Sequence, residues 1–377
     1  MNKLKQLLAD KPVNTGRQWE LDLSKALIIL CLPVIHCIIE CCTDEMLESG
    51  IPYLFDTIIG GPFSAPMYML AMGISMHFSR KKEPLQIAKR GLKVILVFYV
   101  HNICRFLIPY LIGYAISKDR EQFIEPLLYR VLGNDILMFG GLALLVMALF
   151  IHLKLSPWIM LLIAAGCSLL GMVTTGVDTK VPLLNIFLGY FIGTEDETGL
   201  LISDFPLLIW LIAPVSGYVF GSILLRVSKA AKSKFYQMVS LPALGIAAIY
   251  FAFGIYYKAG MFGEGQNCYY HMMPWDMAAS IILNIGMVGL WFFISEILPT
   301  KPTMYLSDIS SKITSFYCIH WVFVRVITNV ILYIKNGTQV LPLGYTLLLS
   351  VGIMLVTLLL AEVWRVMKIR RVDIKNR

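Results

Sequence analysis

The sequence RQWELDLSKALIILCLPVIHCIIECC, residues 17–42, decides the fold class of this chain. Between Lys25 and His36 it carries no charged side chain, and apolar runs of about 20 residues recur throughout, long enough for a helix to cross a ~30 Å hydrocarbon layer. Of the 377 residues, 58% are hydrophobic and 15% are charged. We therefore predict an all-α protein, a polytopic integral membrane helical bundle without a soluble domain of ordinary size.

The apolar runs predict ten transmembrane helices and one shorter membrane segment. The ten lie near residues 23–42, 54–78, 92–116, 133–153, 157–177, 205–227, 236–258, 276–298, 313–335 and 344–366. The segment VPLLNIFLGYFIGT, residues 181–194, is too short at about 14 residues to cross the membrane fully. We interpret it as re-entrant or half-depth.

The basic residues predict the orientation of the chain. They cluster in short loops on alternate sides of the predicted spans, so the positive-inside rule places both termini in the cytoplasm. The predicted organisation is a cytoplasmic segment 1–22, a transmembrane domain 23–366 and a cytoplasmic tail 367–377. The basic loops account for the net charge of +8, so this charge does not indicate that the protein binds nucleic acid. Residues 1–25 lack the features of a cleaved signal peptide, and we expect a multi-pass protein of the cell membrane, most simply the bacterial cytoplasmic membrane.

The eight cysteines contain no CxxC pair, so neither zinc nor an iron-sulfur cluster is indicated. Cys41, Cys42 and Cys268 fall in segments predicted to face outward. The sequence leaves open whether they form a disulfide or remain free thiols.

The first span carries a line of ionisable side chains, which are costly in hydrocarbon and are therefore candidates for function. Lys25 and His36 lie three helical turns apart on one face, at a separation of about 16 Å. Asp22 and Glu40 fall within ~40° of the same stripe. One polar line is thus predicted along the helix.

His36 and Glu40 are the candidate catalytic residues. Histidine acts as a general base near neutral pH, and Glu40, one turn on, could hold its tautomer. The alternative for His36 is a structural histidine bonded to the backbone carbonyl that Pro33 leaves unpaired. Glu40 could equally be a headgroup-level acid, and Lys25 a snorkelling lysine that marks the cytoplasmic side.

Polar residues in two other spans are consistent with a cavity inside the bundle. The third span carries His101, Asn102 and Arg105, and the ninth carries His320 and Arg325. On the predicted outer side, Asp135 begins the fourth span, where solvation is expected. His271, Trp275 and Asp276 combine aromatic and hydrogen-bonding groups as a sugar-binding mouth would, although an interfacial aromatic belt has the same composition.

Four segments, in order, resemble landmarks of the transmembrane acyltransferase superfamily, which contains bacterial polysaccharide O-acyltransferases and heparan-alpha-glucosaminide N-acetyltransferase. RQWELDLSKALIILCLPVIH resembles its opening signature, with His36 in the place of the histidine and Lys25 replacing the usual arginine. APMYMLAMGISM (65–76), NDILMFGGLALLV (134–146) and LSDISSKITSFYCIHWVF (306–323) resemble three later segments. The loop CCTDEMLESG lacks the histidine that the N-acetyltransferase branch places there, so O- and N-transfer both remain open.

The resemblance implies transfer of an acetyl or other acyl group from cytoplasmic acyl-CoA, as co-substrate and without a metal, to a carbohydrate on the other side. His36 would act directly or through a transient acyl-histidine. The residues expected to bind the acyl-CoA are Asp22, Lys25, His101, Asn102, Arg105, His320 and Arg325. The residues expected to bind the acceptor are Asp135, His271, Trp275 and Asp276.

Two other classes of function compete with this interpretation. A proton-coupled or anion transporter could use the intramembrane histidines and arginines as its path, but no inverted repeat is found. A structural scaffold would leave the intramembrane charges unexplained. Besides the lipid bilayer and the carbohydrate, a homodimeric partner is left open, and nucleic acid is not expected.

Overall fold

The computed structural model describes residues 6–197, 199, 203–263 and 269–375, with side chains described as far as residue 367. Cys268 therefore lies outside the described residues, as do Lys3, Lys5 and the side chains of the basic tail. Cys41 and Cys42 are free thiols.

Helices make up almost all of the regular structure in these residues. The α-helices of the first half are α1 (Trp19–Cys41), α2 (Asp44–Leu47), α3 (Gly50–Tyr53), α4 (Ala65–Phe78), α5 (Pro84–Asn102), α6 (Ile108–Ser117), α7 (Arg120–Phe123), α8 (Leu127–Leu132), α9 (Ile136–His152) and α10 (Pro157–Val173). Those of the second half are α11 (Pro182–Gly189), α12 (Leu207–Trp210), α13 (Ile212–Leu224), α14 (Lys232–Tyr256), α15 (Pro274–Ile297), α16 (Thr300–Ser311), α17 (Ile313–Arg325), α18 (Tyr333–Asn336) and α19 (Leu343–Lys375). Three π-helical segments are Leu54–Ser64, Ile103–Leu107 and Val326–Leu332, and two short 3₁₀ turns are Lys229–Ala231 and Gly260–Phe262.

Nine helical stretches of the described chain are long and apolar enough to cross a membrane. They are Trp19–Cys41, Gly50–Phe78, Pro84–Ser117, Arg120–His152, Leu207–Leu224, Lys229–Phe262, Pro274–Ile297, Ile313–Asn336 and Leu343–Met367. The prediction of an all-α polytopic membrane protein is confirmed. The remaining predicted span is α10, which is apolar and 17 residues long.

The segment predicted to be re-entrant contains only the eight-residue helix α11. At 1.5 Å per residue this helix is about 12 Å long, well short of a ~30 Å hydrocarbon layer.

Many large apolar side chains lie on the outside of the helices. Leu162, Leu348 and Leu359 are 74%, 70% and 65% exposed, for example. Contiguous apolar surface of this kind is rare on soluble proteins, whereas a lipid-facing helix requires it.

One compact unit, unit 1, comprises Met1–Leu21, Pro62–Val100 and Leu128–Ile297. Its helices α4 and α13 approach each other at glycines. A Cβ on Gly73 would lie 1.9 Å from the Pro214 carbonyl oxygen, and one on Gly217 would lie 2.0 Å from that of Leu70. Small residues that let backbones touch are the usual contact between membrane helices, so both positions require glycine.

The second compact unit, unit 2, comprises Asp22–Gly61, His101–Leu127 and Leu298–Arg377. Two of its π-helical segments adjoin predicted site residues: Ile103–Leu107 contains Arg105, and Val326–Leu332 begins directly after Arg325. Single-turn π segments within α-helices occur frequently at functional sites. The positions of these two π segments therefore favour unit 2 as the location of the functional site.

Candidate active site

Helix α1 is continuous over 23 residues and passes through Pro33 without ending. Its face presents Asp22, Lys25, His36 and Glu40 in the order that the sequence predicts. Each of these side chains has a polar partner within unit 2.

Asp22 forms the first contact between α1 and α16. Its carboxylate lies 3.1 Å from the Lys25 ammonium and accepts hydrogen bonds from Ser307 at 2.5 Å and Ser310 at 3.1 Å. Lys25 is therefore charge-compensated within its own helix, and its side chain stays 19% exposed.

His36 forms the second contact, with α17. Its Nδ1 lies 2.8 Å from Nε2 of His320, and the Nδ1 of His320 lies 2.9 Å from the Phe316 carbonyl oxygen. His320 is completely buried, whereas His36 is only half-buried.

This chain of contacts determines the tautomers of two neutral rings. A carbonyl oxygen can only accept, so His320 carries its proton on Nδ1 and accepts at Nε2. The Nδ1 of His36 must then donate to His320. The Nε2 of His36 is left with its lone pair, which is the state that a general base requires.

Glu40 forms the third contact, with Arg325 at the end of α17. The carboxylate lies 2.6 Å from the guanidinium, and both side chains are about nine-tenths buried. The expectation that Glu40 holds the tautomer of His36 is wrong, because His320 occupies that position at Nδ1. A buried carboxylate requires a charge partner, and Arg325 supplies it.

These three contacts, which we call the polar ladder, show that α1 runs parallel to α16 and α17. Residue numbers rise together along both sides, from Asp22 with Ser307 to Glu40 with Arg325. Parallel helices that both span the membrane are separated by an odd number of crossings. Six long apolar stretches lie between them in the described chain. If all six cross the membrane, one of α10 and α11 must cross as well, and the 17-residue α10 is the longer of the two. This arrangement agrees with the ten spans predicted from the sequence.

Trp321 packs directly against His36, a contact that the sequence did not single out. The two rings stack with centroids 3.9 Å apart. The guanidinium groups of Arg105 and Arg325 lie 5.3 Å and 5.0 Å from the indole centroid. Its Nε1 is buried without a hydrogen-bond partner in the described structure. An N–H donor left unpaired beside a base is typical of a site completed by a ligand or water.

Three other predicted residues come from the junction of α5 with the π segment. His101, Asn102 and Arg105 are all buried, and the His101 ring lies 5.8 Å from that of Tyr317 in α17. All of the residues predicted to bind the acyl-CoA therefore belong to unit 2. It adds Trp321, Ser307 and Ser310, for which the signal was the motif SDISSK and the His-Trp pair.

The predicted acceptor residues all belong to unit 1. Asp135 caps the N-terminus of α9, accepting the N–H groups of Leu137 at 2.8 Å and Met138 at 3.2 Å. It is 4% exposed, so the expectation that it is solvated is wrong. The carboxylate satisfies amides that the first turn of a helix leaves without partners.

His271 and Asp276 are buried as well, whereas Trp275 is 53% exposed. The Nε2 of His271 lies 2.9 Å from the Ser203 carbonyl oxygen, and its Nδ1 lies 3.2 Å from the Glu195 carboxylate. Burial lowers the pKa of His271, and the contacts with Ser203 and Glu195 partly oppose this.

Asp276 accepts a hydrogen bond from the Tyr250 hydroxyl at 2.8 Å. Buried hydrogen-bonded groups of this kind stabilise the fold around them. Of the residues expected to form a sugar-binding mouth, Trp275 is the one that presents its side chain to the outside.

Comparison with known families gives one match, to a region that begins just before α1 and ends within α14. The profile of the catalytic region of heparan-alpha-glucosaminide N-acetyltransferase matches residues 17–255, well over half of the chain. The chain belongs to this family. The resemblance inferred from the four motifs is thereby confirmed.

The match to the heparan-alpha-glucosaminide N-acetyltransferase family includes the α1 and α5 sides of the site and ends before α16 and α17. His36 and Arg105 thus lie inside the matched region, and His320 lies outside it. No curated protein and no solved structure matches the chain.

Proposed function

We propose that this membrane acetyltransferase moves an acetyl group from acyl-CoA to a hydroxyl or amine of a carbohydrate, with His36 as the general base. The observation that supports this most directly is the hydrogen-bonded series Phe316, His320, His36. It leaves the Nε2 lone pair of a half-buried histidine available for an acceptor proton. Family membership supports acetyl transfer as the reaction class.

His36 would take the acceptor's proton at Nε2 while the oxygen or nitrogen of the acceptor attacks the acyl carbon. The carbon–sulfur bond of the thioester then breaks, and the CoA thiolate leaves and takes up the proton held on His36. The imidazolium that forms keeps its Nδ1–H directed at the His320 Nε2, so the new charge is shared by a partner already in place. His320 is thus a positioning residue, and His36 is the catalytic one. A bound acyl-CoA supplies the activated thioester.

Two groups beside His36 are suited to the negative charge that develops on the acyl oxygen. Trp321 offers a buried indole N–H, and the Arg105 guanidinium lies 5.3 Å from the centroid of the same ring. Donors held in place in a water-poor site stabilise such charge strongly, each typically by about 2.7–4 kcal/mol. The carboxylate of Glu40 compensates the second guanidinium, that of Arg325.

The N-terminal end of α1 lies at a suitable distance from His36 to bind the phosphorylated part of the acyl-CoA. Lys25 lies about 16 Å from His36 along the helix, roughly half the hydrocarbon thickness. Its ammonium has three donors, of which the Asp22 carboxylate engages one side. We propose that Lys25 contacts a phosphate of the acyl-CoA. Asp22, which accepts hydrogen bonds from Ser307 and Ser310, would fix the side-chain conformation of Lys25.

The positive-inside pattern supports a cytoplasmic donor and an acceptor on the opposite side. We propose the bacterial cytoplasmic membrane as the location. The acceptor class is a sugar such as glucosamine within a polysaccharide, and Trp275 is the exposed aromatic side chain suited to stack on it.

The function is tested with purified protein in sealed proteoliposomes. Radiolabelled acetyl-CoA is added on one side and a panel of amino sugars and neutral oligosaccharides is enclosed on the other. The proposal expects label on at least one carbohydrate and dependence on His36. Label that never leaves CoA with any acceptor, in protein shown to be folded, would contradict it.

The donor contact is tested separately by comparing CoA with dephospho-CoA. Lys25→Ala should weaken binding of CoA more than that of dephospho-CoA, because only the former carries the extra phosphate. Equal losses for the two compounds would exclude Lys25 as a contact for that phosphate.

A further inference from the structure

A cavity of about 330 Å³ lies in unit 1, between the C-terminal end of α4, the beginning of α5 and one side chain of α9. Four of its lining residues are cationic: Lys81, Lys89, Arg90 and Lys93. Its neutral polar lining is Ser79 and Gln86, and no carboxylate lines it among the described residues. We call it the basic cavity. Its volume is at the lower end of the range of ~300–1,000 Å³ typical of small-molecule sites.

The four cations of the basic cavity have no ion-pair partner in the part of the chain that the structure describes. Some cations elsewhere in the described chain do have a carboxylate partner, for example Lys232 with Glu20 at 2.6 Å. Like charges around one concavity repel one another, and a bound anion removes that cost. The charge of the cavity therefore favours a phosphate-bearing ligand.

The surface next to the cavity distinguishes a lipid phosphate from a soluble one. Leu85, Leu92 and Leu96 of α5 are 65%, 59% and 63% exposed. At 100° per residue, Lys89 and Lys93 fall on the same ~100° sector of the helix as these leucines. The cations thus lie on an apolar, lipid-facing stripe rather than on a surface that faces only water.

A single lysine at a helix end is explained by snorkelling and by the positive-inside rule. Four unpaired cations that line one cavity, continuous with an exposed leucine stripe, match an amphiphilic anion instead. Basic pockets between membrane helices on the cytoplasmic side bind anionic headgroups in this way.

We propose that the basic cavity binds the phosphate of an anionic phospholipid headgroup, with an acyl chain lying along Leu92 and Leu96. The site shares no residue with the polar ladder and does not depend on the proposed acyl transfer. Each cation near a lipid phosphate contributes about a fivefold gain in affinity. Removing three should therefore weaken binding by about 100-fold.

The proposal is tested with the full chain in an uncharged detergent, by titrating short-chain phosphatidylglycerol or phosphatidylcholine and detecting bound lipid by native mass spectrometry. The test variant is Lys89→Gln/Arg90→Gln/Lys93→Gln. The matched control, Lys229→Gln/Lys234→Gln/Lys301→Gln, removes the same charge at exposed positions outside the cavity. A charge-conserving variant, Lys89→Arg/Lys93→Arg, separates loss of charge from loss of folding.

Wild type, the control and the charge-conserving variant should bind phosphatidylglycerol in preference to phosphatidylcholine, and the test variant should lose about 100-fold in affinity. Equal binding of the two lipids by wild type would overturn the proposal, as would full binding by the test variant. A final arm adds ADP as a soluble diphosphate. If ADP displaces all bound phosphatidylglycerol at equimolar concentration, the cavity belongs to a soluble phosphate ligand and the lipid assignment is wrong.

Discussion

Replacing His320 tests the hydrogen-bonded series that prepares His36. In His320→Phe the ring volume is kept, but the acceptor that lies 2.8 Å from the His36 Nδ1 is removed. The hydrogen bond from the residue-320 ring to the Phe316 carbonyl is lost as well. His36 is then free to carry its proton on Nε2, the atom that must remain unprotonated.

The size of the effect follows from what the contact does when His36 becomes charged. A hydrogen bond to a charged group contributes about 1.5–3 kcal/mol. Because each 1.36 kcal/mol corresponds to a factor of ten in rate, kcat should fall by about 10- to 150-fold. KM for the acceptor should change little, since His320 is completely buried behind His36.

The assay is the initial rate of label transfer from acetyl-CoA at saturating donor. His320→Gln is the matched control, because its side-chain oxygen can still accept a hydrogen bond near the position of Nε2, and it should recover part of the lost rate. A His320→Phe enzyme that retains wild-type kcat would refute the reasoning. So would equal losses in the Phe and Gln variants, which would indicate a packing role only.

Three further predictions concern stability. Arg325→Ala leaves Glu40 buried and unpaired, so it should lower the free energy of unfolding by about 3–5 kcal/mol and lower the melting temperature in detergent. The apolar double variant Glu40→Leu/Arg325→Met should lose less stability. An equal loss in the two variants would mean that the broken ion pair is not the cause. Gly73→Ala brings a methyl group to within 1.9 Å of the Pro214 carbonyl oxygen and should destabilise by at least about 1–3 kcal/mol, whereas Gly352→Ala, with open space around it, should not. Hydrogen bonds from Asn185 and Lys180 lower the pKa of Asp178 to about 2, below the unfolded value of about 3.9. The stabilising contribution of the ionised Asp178 is therefore present above about pH 4 and is lost as the pH falls towards 2. In Asp178→Asn, stability should consequently depend less steeply on pH between 4 and 2. An unchanged acid-denaturation curve would contradict this.

The sequence predicts the spans because apolar length is a local property. The run after Lys25 identifies α1 by itself, and the 14-residue estimate for residues 181–194 foresees that α11 is too short to cross. Helical periodicity also predicts correctly that Lys25, His36 and Glu40 share a face.

Periodicity cannot name partners on other helices. Glu40 lies one turn from His36, so the sequence pairs them, yet the structure pairs Glu40 with Arg325, 285 positions away. The pairing of His36 with His320 spans 284 positions and has no local signal. Trp321 is missed for a related reason, because a tryptophan in a membrane helix is most simply explained by packing. Asp135 was located correctly at the start of a helix, but its capping role is seen only in the backbone geometry.

The role of His36 as the base for acetyl transfer is tested most directly by the rate at which His36→Ala transfers label from acetyl-CoA to carbohydrate. General-base catalysis contributes about 10²–10⁴-fold, so the variant should lose at least about 100-fold in kcat while it still binds CoA. His152→Ala, which changes an exposed histidine at the end of α9, is the matched control and should retain full activity. A folded His36→Ala protein whose activity stays within about twofold of wild type would contradict the account.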